Sequence, residues 1–271
     1  MAPRSGRIAR ARLVSPPQLN LLQTAAAQVR SAMRPGFREE RYGRLWRIGQ
    51  VTENDGHLHG HLGFEKETGA DLWDDDRQDF TPTAVQHGLA APFLIRLHDF
   101  AIVFQPRQDI RIPSFTGALR SMLSAATTDT WTVRPLTGET DFDKWRASVD
   151  RVVRIRFRQE KCAQTPQAAQ GLVQQAREAG SDLLTVDLRA RAGIDSGSPL
   201  VRELLGYARD GMGDLIAYGS RDNEVEAETA WNSTLGGESI LTSVPVDPVT
   251  GEADLDTLRG QLARIDCLAP E

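Results

Sequence analysis

Arginine dominates the first 47 residues of this chain, and the planar guanidinium group is well suited to hold phosphate. This segment contains ten arginines, no lysine and only two acids, which gives it a formal charge of +8. The arginines are Arg4, Arg7, Arg10, Arg12, Arg30, Arg34, Arg38, Arg41, Arg44 and Arg47. Because the whole chain carries −5, the remaining residues carry −13. The pattern predicts a protein that binds a polyanion at one end while its body repels it.

A second arginine pattern lies in the sequence VVRIRFRQ, where Arg154, Arg156 and Arg158 alternate with apolar residues. Alternate side chains of a strand share one face, so these three guanidinium groups would form a row spaced about 7 Å apart. Such a row could follow a phosphate backbone. The alternative is an exposed strand face paired with carboxylates of a neighbouring strand. The acidic row formed by Glu224, Glu226 and Glu228 could supply those carboxylates.

Three histidines, His57, His59 and His61, also occupy alternate positions. Two imidazoles spaced in this way on a strand are a recurrent zinc-ligand geometry, and Asp74 could supply a third ligand if the acidic segment folds back. The outer pair would lie about 13 Å apart along a strand, too far for one tetrahedral metal. A solvated hairpin face is therefore the main interpretation, with no metal and no cofactor. A metal-dependent hydrolase is the alternative.

No arrangement of residues predicts a catalytic site, because neither an HExxH motif nor a Ser/His/Asp order can be picked out. Trp46 lies between Arg44 and Arg47, and an aromatic ring flanked by cations is typical of a surface that stacks on nucleobases. Its position on a hairpin nevertheless predicts that the side chain is partly buried. No apolar run approaches the roughly 20 residues needed to cross a bilayer, so no membrane insertion is expected. The two cysteines lie far apart, which favours reduced thiols and a cytoplasmic location.

The elements that must position these residues fall into three predicted segments. Residues 1–36 predict a mobile basic arm over 1–14 and then a helix to about Met33. Residues 37–136 predict a β-rich domain, with a hairpin turning at Asp55-Gly56, an acidic surface loop over 71–79 and a helix from Pro113. Residues 143–271 predict an α/β domain, with a strand over Leu183–Arg189 and a helix over Pro199–Arg209 that Ser198 caps. The predicted fold class is α+β, with two mixed α/β domains, each a largely antiparallel or mixed sheet with helices packed on it.

The order of these elements resembles the RexA-type phage-exclusion proteins and their prophage-borne relatives. The resemblance is carried by the hairpin GRLWRIGQV…GHLHGHLGFE, the acidic break DLWDDD, the pair FLIRLHDF–AIVFQP and the strand VRIRF, within residues 40–245. It implies a non-enzymatic, dimeric DNA-binding protein without sequence preference, which takes part in the defence of a bacterium or prophage against other phages. The resemblance transfers no catalytic residue, and residues 1–36 fall outside it.

Together these patterns predict a protein that binds duplex DNA through backbone phosphates with little sequence specificity. The expected contacts are the ten arginines of the first 47 residues together with Arg154, Arg156 and Arg158. The expected partners are DNA, a second copy in a homodimer or higher homo-oligomer, and a second protein of a defence system. One alternative is a metal-dependent hydrolase that uses the strand of His57, His59 and His61, with His57, His59 and Asp74 as its metal ligands. The other is a structural, oligomer-forming phage or bacterial protein.

Overall fold

The computed structural model describes residues 5–15, 24–127, 129–136, 139–160, 164–165, 171–220, 228–233, 241–265 and 269–270. The helices are α1 (Ala25–Ala32), α2 (Ile112–Thr127), α3 (Glu139–Ala147), α4 (Leu172–Glu178), α5 (Pro199–Arg209) and α6 (Leu255–Leu262). The first eight strands are β1 (Ser5–Val14), β2 (Arg38–Arg41), β3 (Arg44–Ile48), β4 (Thr52–Asn54), β5 (His57–Asp74), β6 (Asp79–Arg96), β7 (Ala101–Phe104) and β8 (Thr132–Pro135). The others are β9 (Arg151–Glu160), β10 (Gln164–Thr165), β11 (Leu183–Arg189), β12 (Asp214–Ser220), β13 (Glu228–Asn232), β14 (Thr242–Pro245) and β15 (Ala269–Pro270).

The architecture is α+β, as predicted, and is built on antiparallel sheets. The larger sheet has the strand order β14-β1-β7-β6-β5-β3-β2, with β4 beside β5 and β8 beside β1. Helices α1 and α2 cover one part of it, over an apolar core that includes Trp46, Phe93, Phe104 and Phe115. Helix α6 packs on β6, β7 and β1 through Leu258 and Leu262.

A second, four-stranded antiparallel sheet has the order β11-β9-β12-β13. Its own apolar core joins Ile155 and Phe157 of β9 to Val201 and Leu204 of α5. Strand β11 and helix α5 match the predicted bounds because both carry strong local signals. Ser198 precedes Pro199 at the start of α5, and apolar residues alternate along β11.

The prediction of a mobile basic arm over residues 1–14 is wrong for residues 5–14, which form strand β1. This strand lies inside the larger sheet and pairs antiparallel with β14, β7 and β8. Ile8 and Leu13 are completely buried, so the strand is anchored from both faces. The arginines between these apolar residues hid the alternation that marks a strand. The predicted helix starts inside residues 16–23, which lie outside the described residues, and its described part begins at Ala25 behind the cap Thr24.

The predicted segment boundaries do not follow the strand pairing. Strand β1, predicted to lie in a separate arm, and strand β14, predicted to lie in the last domain, are neighbours in the larger sheet.

The acidic segment 71–79, predicted to be a surface loop, is not a loop. It forms the end of a hairpin in which β5 and β6 pair over their full lengths, with only residues 75–78 in the turn. Within the described residues, no helix is both long and apolar enough to cross a membrane.

Candidate nucleic-acid interface

A cleft of about 1360 Å³ lies at one end of the larger sheet. Its walls come from the start of β1, the segment 105–111 that leads into α2, the exposed side of α2, and strand β8. Pockets for small ligands have volumes of about 300–1,000 Å³, so this cleft is large enough for a segment of a polymer.

Five arginines line the cleft, whereas only one carboxylate lies among its lining residues, so the described lining carries a net charge of +4. The arginines are Arg7, Arg107, Arg111, Arg120 and Arg134. Arg134 lies 3.4 Å from Asp214, and Arg107 lies 2.7 Å from Glu252. Arg111 and Arg120 are exposed, and neither side chain has a hydrogen bond or an ion pair with any described residue. These two guanidinium groups are therefore available to an anion.

Helix α2 presents a polar face to this cleft. Pro113, Thr116, Gly117 and Arg120 recur at helical spacing on that face. The opposite face is buried, and the ring of Phe115 stacks on Phe104 with 3.9 Å between their centroids. The buried face thus fixes the orientation of the helix, and with it the position of Arg120.

Tyr42 lies at the rim of the cleft, at the turn of the hairpin formed by β2 and β3. Its φ of 56° is in the left-handed region, which is unusual for a bulky side chain. The ring is 58% exposed, yet it packs so closely on Gly117 that a Cβ at position 117 would collide with it. The guanidinium of Arg41 lies 4.8 Å from the ring centroid. An exposed aromatic ring beside cations can stack on a nucleobase.

The aromatic residue that the sequence suggested for stacking, Trp46, is completely buried and donates its indole N–H to the carbonyl oxygen of Arg41. It supports the hairpin from inside, and Tyr42 is the exposed ring. A tyrosine followed by glycine in a tight turn is the sequence signal that could have indicated this exposure.

Many arginines predicted as phosphate contacts already bind groups of this protein. Arg12 is buried, and its side chain donates to Asp99 and to the carbonyl oxygen of Asp210, so its predicted role is wrong. Arg30 pairs with Glu53 at 2.7 Å and Arg47 with Glu65 at 2.9 Å. Arg44 donates to the carbonyl oxygen of Asp109, and Arg34 lies over the ring of Phe37. Arg7 lines the cleft, Arg10 and Arg38 lie elsewhere on the larger sheet, and Arg4 lies outside the described residues.

The predicted arginine row on β9 lies on one strand face, but part of it is neutralised. Arg154 makes two hydrogen bonds to Asp187 of β11, and Arg189 also contacts that carboxylate. These hydrogen bonds hold the pKa of Asp187 far below its usual value. Arg156 and Arg158 are exposed on the same strand. The partner acid therefore comes from β11, while residues 221–227 and the side chain of Glu228 lie outside the described part.

The predicted metal ligand set of His57, His59 and Asp74 is wrong, because strand β5 separates its members. His57 and Asp74 are at opposite ends of this 18-residue strand, roughly 55 Å apart at the usual rise per residue. His61 lies 3.4 Å from Glu252, and burial lowers the pKa of His59 with help from the neighbouring His61. No group of three or more metal-ligating side chains occurs among the described residues.

The chain matches no model of a known protein family, and no curated protein matches it significantly.

The cleft arginines outside the basic N-terminal segment were missed for a physical reason. Counting charge along the chain finds clusters in sequence, whereas Arg107, Arg111, Arg120 and Arg134 come together only through the fold. One local signal was present: Thr116, Gly117 and Arg120 form a small, polar stripe opposite the apolar side of α2.

Proposed function

We propose that this protein binds DNA through backbone phosphates with little sequence preference, and that the cleft is the contact surface. The observation that carries the proposal is the pair Arg111 and Arg120, two exposed guanidinium groups without described partners on one wall of a cleft with a net charge of +4. Phosphate contacts supply affinity without reading bases. The acidic remainder of the surface would confine the polyanion to this cleft.

The proposal predicts a steep salt dependence that originates in the cleft. Arg111 and Arg120 supply two phosphate contacts, which contribute about −1.8 to the log–log slope of affinity against salt on duplex DNA, and each further cleft arginine that exchanges its own partner for a phosphate would add about −0.9. The double variant Arg111→Ala/Arg120→Ala is expected to reduce that slope by about 1.8 and to weaken binding of all sequences alike. Fluorescence anisotropy with duplex and single-stranded DNA and RNA at several salt concentrations measures both effects.

Two control variants show whether the cleft or charge in general is responsible. Arg202→Ala removes an exposed arginine of α5 outside the cleft, and Arg34→Ala/Arg38→Ala removes two arginines of the sequence-predicted track. Both controls should keep the wild-type slope. If Arg34→Ala/Arg38→Ala lowers the slope and the cleft variant does not, the contact surface is the N-terminal track and the cleft is wrong.

Tyr42 is expected to distinguish single strands from duplexes. Stacking of a base on an aromatic side chain contributes about 1–3 kcal/mol, so Tyr42→Ala should weaken single-stranded DNA binding by roughly 5–150-fold. Tyr42→Phe keeps the ring and should bind like the wild type. Duplex binding should change little, because paired bases are already stacked. An equal loss for duplex and single strand in Tyr42→Ala would contradict a stacking role.

The resemblance to RexA-type proteins supports a wider proposal, that DNA binding serves the defence of a bacterium or prophage against phages. In that role a homodimer and a second protein of the defence system would be the partners. DNA binding, which the anisotropy experiment tests, is the first requirement of such a role. The geometry of the cleft is the same whether or not the protein has this defence role.

We also propose that the four-stranded sheet and its helices form a second domain. A separate apolar core and a separate set of strand pairings support this division. Arg134 of β8 and Asp214 of β12 connect the two sheets at the cleft.

A further inference from the structure

The hairpin of β5 and β6 extends far beyond the sheet that carries it. Strand β3 pairs with β5 only as far as Phe64, and β7 pairs with β6 only from Phe93. Residues 65–88, here called the acidic arm, are therefore a two-stranded ribbon whose only described strand pairing is between its own strands. An isolated two-stranded ribbon is marginally stable in water, so this arm is suited to a partner surface.

One face of the acidic arm is exposed along its whole length. At its far end, Trp73 and Phe80 are paired across the strands, with 5.3 Å between their ring centroids, and they are 53% and 63% exposed. Nearer the base, this face carries the small residues Gly69, Ala84 and Gly88 beside the longer side chains of Glu67 and Gln86. An exposed strand face that ends in two aromatic rings has the anatomy of a protein–protein contact.

The charge of the arm selects the kind of partner. It contains seven acids and two cations, for a net charge of −5 with histidine neutral. The acids are Glu65, Glu67, Asp71, Asp74, Asp75, Asp76 and Asp79, and the cations are Lys66 and Arg77. Two arms packed on each other would repel. The arginine cleft, whose described lining carries +4, is a surface of the opposite charge.

We propose that the acidic arm docks in the arginine cleft of a second copy of this chain, and thereby competes with nucleic acid for that cleft. The inference rests on the proposed function, in that the same arginines receive phosphate when the arm is absent. Trp73 and Phe80 meet the apolar lining around Pro106, Ile112 and Leu241, while Asp71 and Asp76 approach Arg111 and Arg120. Two copies exchange arms reciprocally about a two-fold axis, the commonest symmetry of homo-oligomers.

No residue of the acidic arm lines the cleft of its own chain. Lys66, at the base of the arm, lies 3.3 Å from Asp109, within the segment 105–111 that borders this cleft. From that base the paired strands run nine residues to Asp74, which places the tip roughly 30 Å away. The turn at residues 75–78 is held by hydrogen bonds from the backbone N–H groups of Asp76 and Arg77 to Asp74, so the tip is a defined shape.

Charge exchange between two variants tests the docking. The arm variant is Asp71→Arg/Asp76→Arg, and the cleft variant is Arg111→Asp/Arg120→Asp. Sedimentation velocity at low and moderate salt should show that the wild type dimerises and that each variant alone does so at least ~100-fold more weakly, because like charges then face each other. An equimolar mixture of the two variants should recover the dimer, since each arm then meets a cleft of opposite sign.

Nucleic-acid binding by the same proteins separates the two proposals. The arm variant keeps its cleft and should bind DNA at least as tightly as the wild type, whereas the cleft variant should lose binding. A wild type that stays monomeric, or a mixture that fails to recover the dimer while the cleft variant alone loses DNA binding, overturns the docking and leaves the DNA proposal standing. Recovery of the dimer without DNA binding by any of these proteins supports the docking and overturns the DNA proposal.

Discussion

Replacing Asp99 with alanine is expected to lower the free energy of unfolding by about 3–5 kcal/mol. Asp99 is completely buried at the turn between β6 and β7, where it accepts hydrogen bonds from Arg96 at 2.6 and 2.8 Å and from Arg12 at 3.2 Å. Alanine would leave two buried guanidinium groups without their carboxylate. Arg96 also donates to the carbonyl oxygens of Leu262 and Ile265, so the loss reaches the end of α6.

Urea unfolding of Asp99→Ala beside Glu53→Ala measures this effect against a matched exposed pair. The carboxylate of Glu53 binds Arg30, but both side chains are more than a third exposed, and such pairs contribute about 0–1 kcal/mol. If the two variants lose equal stability, the buried cluster contributes no more to the free energy of unfolding than the exposed pair does.

Burial opposes the ionisation of Asp99, yet the hydrogen bonds and charges of Arg96 and Arg12 prevail and hold its pKa below the usual value. The difference between wild type and Asp99→Ala should therefore persist at neutral pH and shrink only below about pH 4.

Phe115→Ala is expected to cost about 3–5 kcal/mol, as truncation of a fully buried phenylalanine usually does. The ring is stacked on Phe104 and lies edge-on to Phe93, so alanine would leave a cavity between α2 and the larger sheet. Because the buried face of α2 fixes the position of Arg120 on the opposite face, the cavity should also let α2 shift and displace Arg120 in the cleft. Thermal unfolding and DNA affinity should both fall.

Arg120→Ala provides the complementary variant on the same helix. It removes an exposed side chain without described partners, so its stability should stay within about 0.5 kcal/mol of the wild type. Its DNA affinity should fall nonetheless. A large loss of stability in Arg120→Ala would show that this arginine has a structural role, and would remove the strongest support for the cleft.

Local signals in the sequence were sufficient for most individual elements. The turn at Asp55-Gly56 forms because its two residues adopt φ values of 50° and 72°, and glycine adopts such values without strain. Strand β11 and helix α5 have the predicted bounds, and Leu58 and Leu62 are buried behind the histidines of β5, as their alternation indicates. In each case the determining interactions lie within a few residues of one another.

The features that sequence reasoning missed depend on contacts distant along the chain. The strand character of residues 5–14 is set by partners in β7, β8 and β14. The acidic segment looked like a loop because the pairing of Trp73 with Phe80 requires a register that begins near His57 and Arg96. The cleft combines arginines from β1, α2 and β8, so no stretch of sequence carries its charge.

The position of β1 constrains how a ribosome-bound chain can acquire its structure. This strand is synthesised before the other described strands, yet its partner β14 follows more than 220 residues later, at Thr242–Pro245. At about 5–20 residues per second, residues 5–8 wait on the order of 10–50 s for β14, whereas residues 9–14 can pair earlier with β7 and β8. During this interval the open edge at residues 5–8 can associate with other nascent polypeptides, so holdase chaperones should raise the yield of native protein.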